Sequence, residues 1–164
     1  RCCNVFCDRG GAVVESRKRG IRMQDRYLFK AKRIDNGEWV QGYLYGIWEK
    51  RYILWGMTND VPNMIEVDPY TICQCTGLKD DNGNLIYEND ILFLKDEING
   101  CKWKAVVEFG NPTGEYNWGW QLVQVTECEA NKDILLWVET EMSYIDAEVI
   151  GNTIDNLELV ESEE

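Results

Sequence analysis

The sequence contains no histidine, and this absence excludes several kinds of catalytic and metal site. Ser-His-Asp and Cys-His mechanisms need an imidazole as general base, and histidine-ligated zinc sites need it as a ligand. Positive charge is also scarce, because the 164 residues carry 17 Lys and Arg against 29 Asp and Glu, a net charge of −12. This balance disfavours functions that depend on broad attraction to nucleic-acid phosphates or anionic lipid.

Long hydrophobic runs are missing as well. No stretch approaches the roughly eighteen apolar residues of a membrane span, and residues 1–22 lack the apolar run of about seven residues that a signal peptide needs. The composition, 45% hydrophobic and 28% charged, is that of an ordinary globular chain. We therefore expect one folded domain in the cytoplasm.

The first 22 residues differ in charge from everything that follows. They carry six basic and two acidic residues, whereas residues 23–164 carry 11 basic and 27 acidic ones. We expect residues 1–22 to be a non-native or disordered leader, with translation beginning at Met23. The alternative is a basic arm that binds nucleic acid. At the other end, residues 161–164 read as a frayed acidic tail.

Residues 23–68 are predicted to form an antiparallel meander of short strands. Apolar residues alternate from Tyr27 onward, with Phe29 and Ala31 on the same side of the strand, and Asp35-Asn36-Gly37 is typical of a hairpin turn. The next strand places Trp48 on the same face as Val40 and Leu44. Two glycines in this strand, Gly42 and Gly46, indicate a bulge, a bend or a close backbone approach. A third strand is expected over 52–57, followed by a loop over 59–63.

Residues 69–160 are predicted to form a small SH3-like or barrel-like β module. The chain is expected to reverse over 76–84 and to continue into Ile91–Leu94, a strand buried on both faces. Asn99-Gly100 predicts a further hairpin, and another strand is expected from Trp118. Closure into a barrel would remove exposed strand edges. The regularity fades after residue 130, where we expect an element at 134–138, an extended segment at 148–151 and a short carboxy-terminal helix at 154–160. The predicted fold class is therefore mostly β with minor α.

Four cysteines lie in the body of the chain, at positions 73, 75, 101 and 128. Structural zinc sites usually separate paired ligands by two to four residues, whereas Cys73 and Cys75 are separated by one. Side chains two apart on a strand share a face. We therefore interpret the pair as small apolar residues that fill one face of a strand.

Two segments carry a family resemblance. Residues 70–94 contain the run from Thr76 to Asp80, then Asn82-Gly83 and the run from Ile86 to Ile91, and this pattern resembles the central signature of the YopX family of phage and prophage proteins. Residues 148–156, with Ile150-Gly151-Asn152, are similar to the carboxy-terminal signature of that family. The match extends from Met23 to about Leu159.

The resemblance implies a mostly β protein of mobile elements, and it brings no catalytic activity, cofactor or substrate to these residues. The chain departs from the family pattern at Asn89, where glycine is usual, and at Leu157, where proline is common. We expect the signature residues to be structural; they are Thr76, Gly77, Leu78, Asp80, Asn82, Gly83, Ile86, Tyr87, Asp90, Ile91, Ile150, Gly151 and Asn152.

The signature also holds the main concentration of oxygen ligands, and Asp80, Asp81, Glu88 and Asp90 are the weak metal candidates. A helix-loop-helix calcium site counted from Asp80 needs glycine and glutamate where Leu85 and Ile91 stand. Turn formation explains the residues of this segment, because Asn82 and Gly83 tolerate positive φ, and Asp80 and Asp90 can accept backbone amide hydrogens at corners. We therefore expect no metal and no cofactor.

Three functions remain open, and a non-catalytic protein-interaction module is the first of them. Trp118 and Trp120 are candidates for binding an unknown protein partner, because aromatic rings are common anchors of interfaces. The second function is an acidic DNA mimic that inhibits a host nucleic-acid-binding protein. The third is a metal-dependent enzyme that uses the carboxylates between Asp80 and Asp90. No catalytic constellation is found, and direct binding of nucleic acid is not expected from this charge.

Overall fold

The computed structural model describes residues 25–96, 98, 100–111, 118–124 and 145–161. These residues confirm the prediction of a mostly β fold. The strands are β1 (Leu28–Lys32), β2 (Trp39–Ile47), β3 (Lys50–Thr58), β4 (Val61–Val67), β5 (Cys73–Lys79), β6 (Leu85–Tyr87), β7 (Asp90–Asp96), β8 (Lys102–Gly110), β9 (Gly119–Gln124) and β10 (Ile145–Asn152). Short 3-10 turns span Asp25–Tyr27, Pro69–Thr71 and Leu157–Leu159.

The first six strands form one antiparallel sheet in the order β4-β3-β2-β1-β5-β6. The predicted turn between β1 and β2 is confirmed, and its Gly37 has a φ of 74°. Asn59 and Asp60 turn the chain between β3 and β4 with φ values of 50° and 63°, a conformation that Asn and Asp tolerate. Just after β1, Arg33 forms an isolated bridge with Val67. The meander therefore curls until its first and fourth strands meet.

One face of this meander forms a core around Ala31, Ile53 and Val67, which are fully buried. The close backbone approach predicted for β2 occurs at Gly42. A Cβ atom at this position would lie 2.1 Å from the carbonyl oxygen of Leu54. Glycine is therefore required there for β2 and β3 to pack as they do.

β5 connects this sheet to a second one. It pairs back with β1, placing Cys73 opposite Lys30. The pairing of β5 with β6 shifts register between Cys75 and Lys79, and Gly77, with a φ of 84°, lies within the shift. Beyond Gly77, Leu78 is buried in the core of the second sheet.

The second sheet is antiparallel and has the order β10-β7-β8-β9. Ile91, Leu92 and Leu94 of β7 are buried, and Phe93 is half-buried, as expected for a strand covered on both faces. The hairpin predicted at Asn99-Gly100 joins β7 to β8, since the two strands pair and Gly100 has a φ of 69°. The core of this sheet includes Leu78, Ile86, Leu92, Leu94, Trp103, Ala105, Val107, Leu122, Ile145 and Ala147.

Two predictions about the meander are wrong. Trp48 does not lie on the strand face with Val40 and Leu44, because β2 ends at Ile47 and Trp48 forms the turn to β3, where it is 89% exposed. The loop expected over 59–63 is too long, because β4 begins at Val61 and includes Pro62. Proline interrupts the strand pattern in the sequence, yet it is tolerated here because β4 is an edge strand.

Two predictions farther along the chain are wrong in extent. The reversal expected over 76–84 is confined to residues 80–84, since the bulge at Gly77 lets β5 continue to Lys79. The expected carboxy-terminal helix over 154–160 is a single 3-10 turn, Leu157–Leu159. The extended segment expected over 148–151 is confirmed and belongs to β10.

Several predictions lie outside the described residues: those for 1–22, for Cys128 and for 134–138. The same holds for residues 112–117 and for the last three residues of the acidic tail. Within the described residues, no helix is long and apolar enough to cross a membrane.

Candidate functional site

Asp80 ties the β5–β6 turn to the second sheet. Its carboxylate accepts the backbone amide of Asn84 at 2.7 Å and the side-chain amide of the same residue at 3.0 Å. It also accepts the amide of Val149 in β10 at 3.2 Å. The side chain is almost completely buried. Asp80 therefore stabilises a turn and anchors a neighbouring strand through backbone amides.

Asp81 extends the same connection by one residue. Its backbone amide donates to the carbonyl of Ala147 at 3.0 Å, and its carboxylate accepts the amide of Ala147 at 2.6 Å. The turn thus adds a short ladder of hydrogen bonds to the edge of β10. These contacts give Asp81 a structural use, because both join its turn to the backbone of β10.

Asp90 is the most deeply buried charge at the junction of the two sheets. Its carboxylate accepts the amide of Tyr87 at 2.8 Å and forms an ion pair with Lys30 of β1. Burial raises the pKa of the Asp90 carboxyl, although the Lys30 ammonium and the Tyr87 amide oppose this shift. The Lys30 ammonium also lies over two aromatic rings, 5.2 Å from the centroid of Trp39 and 4.9 Å from that of Tyr87.

A second ion pair joins the sheets beside the first. Lys32 of β1 pairs with Asp155, and the indole N–H of Trp39 donates to Asp155 at 2.6 Å. The Lys32 hydrogen bond, followed by the Trp39 hydrogen bond, lowers the pKa of the Asp155 carboxyl. The segment that carries Asp155 is shaped by Asn152, whose side-chain oxygen accepts the amides of Ile154 and Asp155 at 3.0 and 2.9 Å.

The remaining signature residues shape the same junction. The Thr76 hydroxyl donates to the carbonyl of Ile86 at 2.9 Å and accepts the amide of Leu78 at 3.0 Å, so it closes the bulge in β5.

Gly83 has a φ of 85° in the turn between β5 and β6. At Gly151, a Cβ atom would lie 2.7 Å from the side-chain oxygen of Asn156. The other signature residues differ in burial. The side chains of Tyr87 and Ile91 are buried, whereas those of Asn82 and Ile150 are exposed to solvent.

The four metal candidates contact different groups, and their carboxylates are not arranged around one point. Asp80, Asp81 and Asp90 bind backbone amides or Lys30, as described above. Glu88 is half-buried, and burial raises the pKa of its carboxyl, with the negative charge of Glu108 adding to the shift. Among the described residues, no group of three or more Cys, Asp or Glu side chains is placed to hold a metal ion.

Cys73 and Cys75 are free thiols buried beside Tyr87 at the junction. Burial raises the pKa of both thiols. The thiolate is the reactive form of cysteine, so a raised pKa favours the inert form. The two cysteines fill one face of β5, as the sequence indicated.

The candidate partner-binding tryptophans have different environments. Trp118 is 78% exposed, whereas Trp120 packs against the core of the second sheet and makes an edge contact with Phe109 at 5.0 Å between ring centroids. Trp118 therefore presents a ring to solvent, while Trp120 contributes to packing.

A larger exposed surface lies on the first sheet, outside the residues that the sequence indicated for binding. We call the side of the sheet opposite Ala31 the outer face, and its open part comprises Tyr43, Tyr45, Tyr52, Leu54 and Met64. Register places these side chains together, since Tyr43 is opposite Leu54, Leu54 is opposite Met64, and Tyr45 is opposite Tyr52.

The open part of the outer face is substantially exposed. Tyr43 is 53% exposed, Tyr45 48% and Met64 49%. The rest of the outer face carries Lys30, Lys32 and Trp39, which contact Asp90 and Asp155 as described. The second sheet and its flanking segment therefore occupy one part of the face and leave the tyrosine-rich part open. The signal for it in the sequence is the alternation of the aromatic residues Trp39, Tyr43 and Tyr45 along β2.

Comparison with known proteins gives the family. Residues 26–161 match the family model described as "YopX protein". A search among curated proteins gave no match. The matched range contains both sheets and both ion pairs between them, so the family pattern covers the whole junction built by the signature residues. The chain belongs to the YopX family.

Proposed function

We propose that this YopX-family chain is a non-catalytic protein-interaction module, encoded by a phage or prophage and acting in the cytoplasm of the host. The observation that supports this function is the open part of the outer face. Soluble chains rarely expose a contiguous group of large apolar side chains unless it binds something. Tyrosine is also enriched in protein interfaces, since it adds a large contact area at low entropic cost.

The chemistry of the junction supports a non-catalytic role. The three aspartates that could have served as acid, base or metal ligand, Asp80, Asp81 and Asp90, bind backbone amides, and Asp90 also pairs with Lys30. The pKa values of the Cys73 and Cys75 thiols are raised by burial. Each of these groups has a structural use, and they are spread over separate contacts.

Affinity purification from an induced lysogen tests this proposal. The bait chains are the wild type, a Tyr43→Thr/Tyr45→Thr variant and a Tyr70→Thr control. Threonine keeps the strand propensity of β2. Tyr70 is 95% exposed and belongs to the 3-10 turn Pro69–Thr71, not to β2 or β3. We expect a phage or host protein that co-purifies with the wild type and the control and is lost with the double variant. Identical sets of proteins from all three baits would contradict the proposal.

A second candidate function, the acidic DNA mimic, is favoured by how charge is distributed. Residues 25–79 carry seven acidic and seven basic side chains, whereas residues 80–164 carry 20 acidic and four basic ones. The negative charge is thus concentrated in the half of the chain that follows β5. A mimic would associate with a basic host factor at low salt and release it at high salt, since exposed charges are screened. Capture of a nucleic-acid-binding protein that depends on salt, and is displaced by DNA, would support this function.

A further inference from the structure

We infer that the partner presents an arginine- and lysine-rich segment to the open part of the outer face. This inference rests on the proposed function and specifies the chemistry of the partner. Four features of the molecule carry it: the internal pairing of the basic side chains, the free carboxylates at the two hairpin tips, the use of aromatic rings to hold ammonium groups, and the net negative charge.

The basic side chains of β1 to β4 and their connections are already occupied within the chain. Lysines pair with aspartate or glutamate, and the two arginines bind an aspartate and backbone carbonyls. The contacts are Lys30 with Asp90, Lys32 with Asp155, Arg33 with Asp35, Lys50 with Glu66, and Arg51 with the carbonyls of Trp48 and Lys50. The outer face therefore offers few cations to an acidic partner.

In the described part of the chain, two carboxylates at the tips of the β2–β3 and β3–β4 hairpins have no basic side chain or hydrogen-bond donor as a partner. Glu49 lies in the β2–β3 turn and Asp60 in the β3–β4 turn, and neither makes a hydrogen bond or ion pair within the described part of the chain. Each tip also exposes apolar side chains, Trp48 at the first and Met57 and Val61 at the second. The open part of the outer face thus lies between two tips that combine negative charge with apolar surface.

The same face already holds cations against aromatic rings. Besides the contacts of Lys30, the Lys32 ammonium lies 5.6 Å from the centroid of the Trp39 ring. A cation within about 6 Å of an aromatic face is attracted by the ring quadrupole. The open tyrosines continue this surface from β1 into β2 and β3. Tyr43 and Tyr45 can therefore receive lysine or arginine side chains of a partner in the same way.

The net charge of the chain favours a cationic segment as the molecule that binds the outer face, over a second copy of this chain or nucleic acid. A second copy of this chain brings a further net charge of −12, and nucleic acid brings phosphates. Both would approach against the negative charge of the second half. A cationic segment is attracted by that charge from a distance, and complementary potentials of this kind raise association rates.

Binding of three labelled peptides to the full chain tests the inference. The peptides share length and the positions of their leucines, and differ by having arginine and lysine, glutamine, or glutamate at the other positions. Fluorescence anisotropy at low and high sodium chloride measures each affinity. The protein variants are Tyr43→Thr/Tyr45→Thr, Glu49→Gln/Asp60→Asn and the Tyr70→Thr control, each checked for folding by circular dichroism.

We expect the cationic peptide to bind at least about tenfold more tightly than the glutamine peptide, with little binding of the glutamate peptide. The double tyrosine variant should lose about tenfold in affinity and the double carboxylate variant about threefold, while the control is unchanged. High salt should weaken the binding. Equal binding of the cationic and glutamine peptides, binding of no peptide, or full binding by the tyrosine variant would each overturn the inference.

Two further measurements distinguish a cationic segment from the two alternative binding partners of the outer face, a second copy of this chain and nucleic acid. Sedimentation of the wild type as a dimer that the tyrosine variant abolishes would assign the face to a second copy, and binding of an oligothymidine that the same variant abolishes would assign it to nucleic acid. Either result overturns the inference. If the lysogen experiment shows a partner that depends on Tyr43 and Tyr45 but no cationic peptide binds, the proposed function stands and the cationic chemistry fails.

Discussion

Asn89 is one of the two positions, with Leu157, at which the sequence differs from the pattern that the resemblance implies, and the local geometry at Asn89 suits either residue. It lies at the corner between β6 and β7 with a φ of 65°, where its amide donates to the carbonyl of Val107 at 2.8 Å and its carbonyl accepts the amide of Thr153 at 2.9 Å. Glycine adopts this left-handed conformation freely, and asparagine is among the few other residues that tolerate it. The substitution therefore preserves the corner.

We predict that Asn89→Gly changes the free energy of unfolding by less than about 1 kcal/mol, whereas Asn89→Val lowers it by about 2 kcal/mol. A β-branched side chain at this φ is strained, and the strain is released on unfolding. Urea denaturation of the two variants measures the difference. If Asn89→Val were as stable as Asn89→Gly, the conformation at this corner would not be a requirement of the fold.

The Lys30–Asp90 pair gives a second prediction at this scale. Asp90→Asn leaves the Lys30 ammonium partly buried without its counter-ion, and removing one partner of a buried pair costs about 3 kcal/mol. The double variant Lys30→Met/Asp90→Asn should recover a large part of this loss. A double-mutant cycle from urea denaturation gives the coupling, and a coupling near zero would show that the pair does not hold the sheets together.

Asp155 supplies the prediction that concerns pH. Its folded-state pKa is lowered by Lys32 and Trp39, so its contribution to stability is present above the ordinary aspartate range and is lost as the pH falls through the lowered pKa. We expect carbon-detected NMR titration to place the pKa of Asp155 below its usual value. Lys32→Met should move this pKa upward, and an unchanged pKa in that variant would assign the shift to another cause.

Residue roles could be predicted from the sequence where the interaction is local. Asp80 accepts the Asn84 amide within its own turn and Gly83 has a positive φ there, which are the uses that turn chemistry gives these residue types, whereas the contact of Asp80 with Val149 in β10 is not local. The partner of Asp90 could not be predicted in this way, because Lys30 is 60 positions away and meets it through the pairing of β5 with β1. A charge whose partner comes from another sheet has no signature in a single sequence.

At the scale of a strand, β2 contains two glycines four residues apart with opposite tolerance for a side chain. A Cβ at Gly42 would lie 2.1 Å from the Leu54 carbonyl oxygen, whereas the nearest atom to a Cβ at Gly46 is in the flexible Arg51 side chain at 3.4 Å. The first contact is with backbone that is fixed by pairing, and the second is with a group that can move.

We predict that Gly42→Ala lowers the free energy of unfolding by about 3 kcal/mol, at the upper end of overpacking effects, or prevents folding. Gly46→Ala, the matched control on the same strand, should stay within about 0.5 kcal/mol of the wild type. Urea denaturation gives the energies, and a two-dimensional amide NMR spectrum shows whether each variant keeps the sheet. Equal losses in both variants would contradict the close approach at Gly42.

Strands with clear turn signals were predicted well, and strands with mixed signals were not. Asp35-Asn36-Gly37 and Asn99-Gly100 mark hairpins because their residues favour positive φ. β4 was missed because Pro62 and Asn63 interrupt its alternation, and its edge position, which makes proline acceptable, is a property of the assembled sheet. The same argument applies to β5, where Gly77 was interpreted as part of a reversal and is a bulge within a strand.

At the scale of the whole molecule, the two sheets are linked by strand β5 and differ in charge. β5 pairs with β1 in the first sheet, while its Leu78 is packed in the core of the second. Mostly β architecture was predictable from alternation, but this sharing was not, since it depends on the bulge that turns Leu78 away from the Cys75 side. The shared strand implies that neither sheet keeps its packing when the other is lost.

We therefore predict that the two sheets unfold together. Leu78→Ala removes a buried side chain from the second core and should lower the free energy of unfolding by about 3 kcal/mol. Native-state hydrogen exchange should show the loss in the most protected amides of both sheets, those of β2 and β3 as well as those of β7 and β8. Ile53→Val is the matching change in the core of the first sheet. It should lower the free energy of exchange of the protected amides in both sheets by about 1 kcal/mol. A loss confined to β7 and β8 in the Leu78→Ala variant would mean that the sheets are separate units joined only by Lys30, Lys32 and their aspartates. A loss in both would mean that a partner bound to the outer face stabilises the acidic second sheet as well.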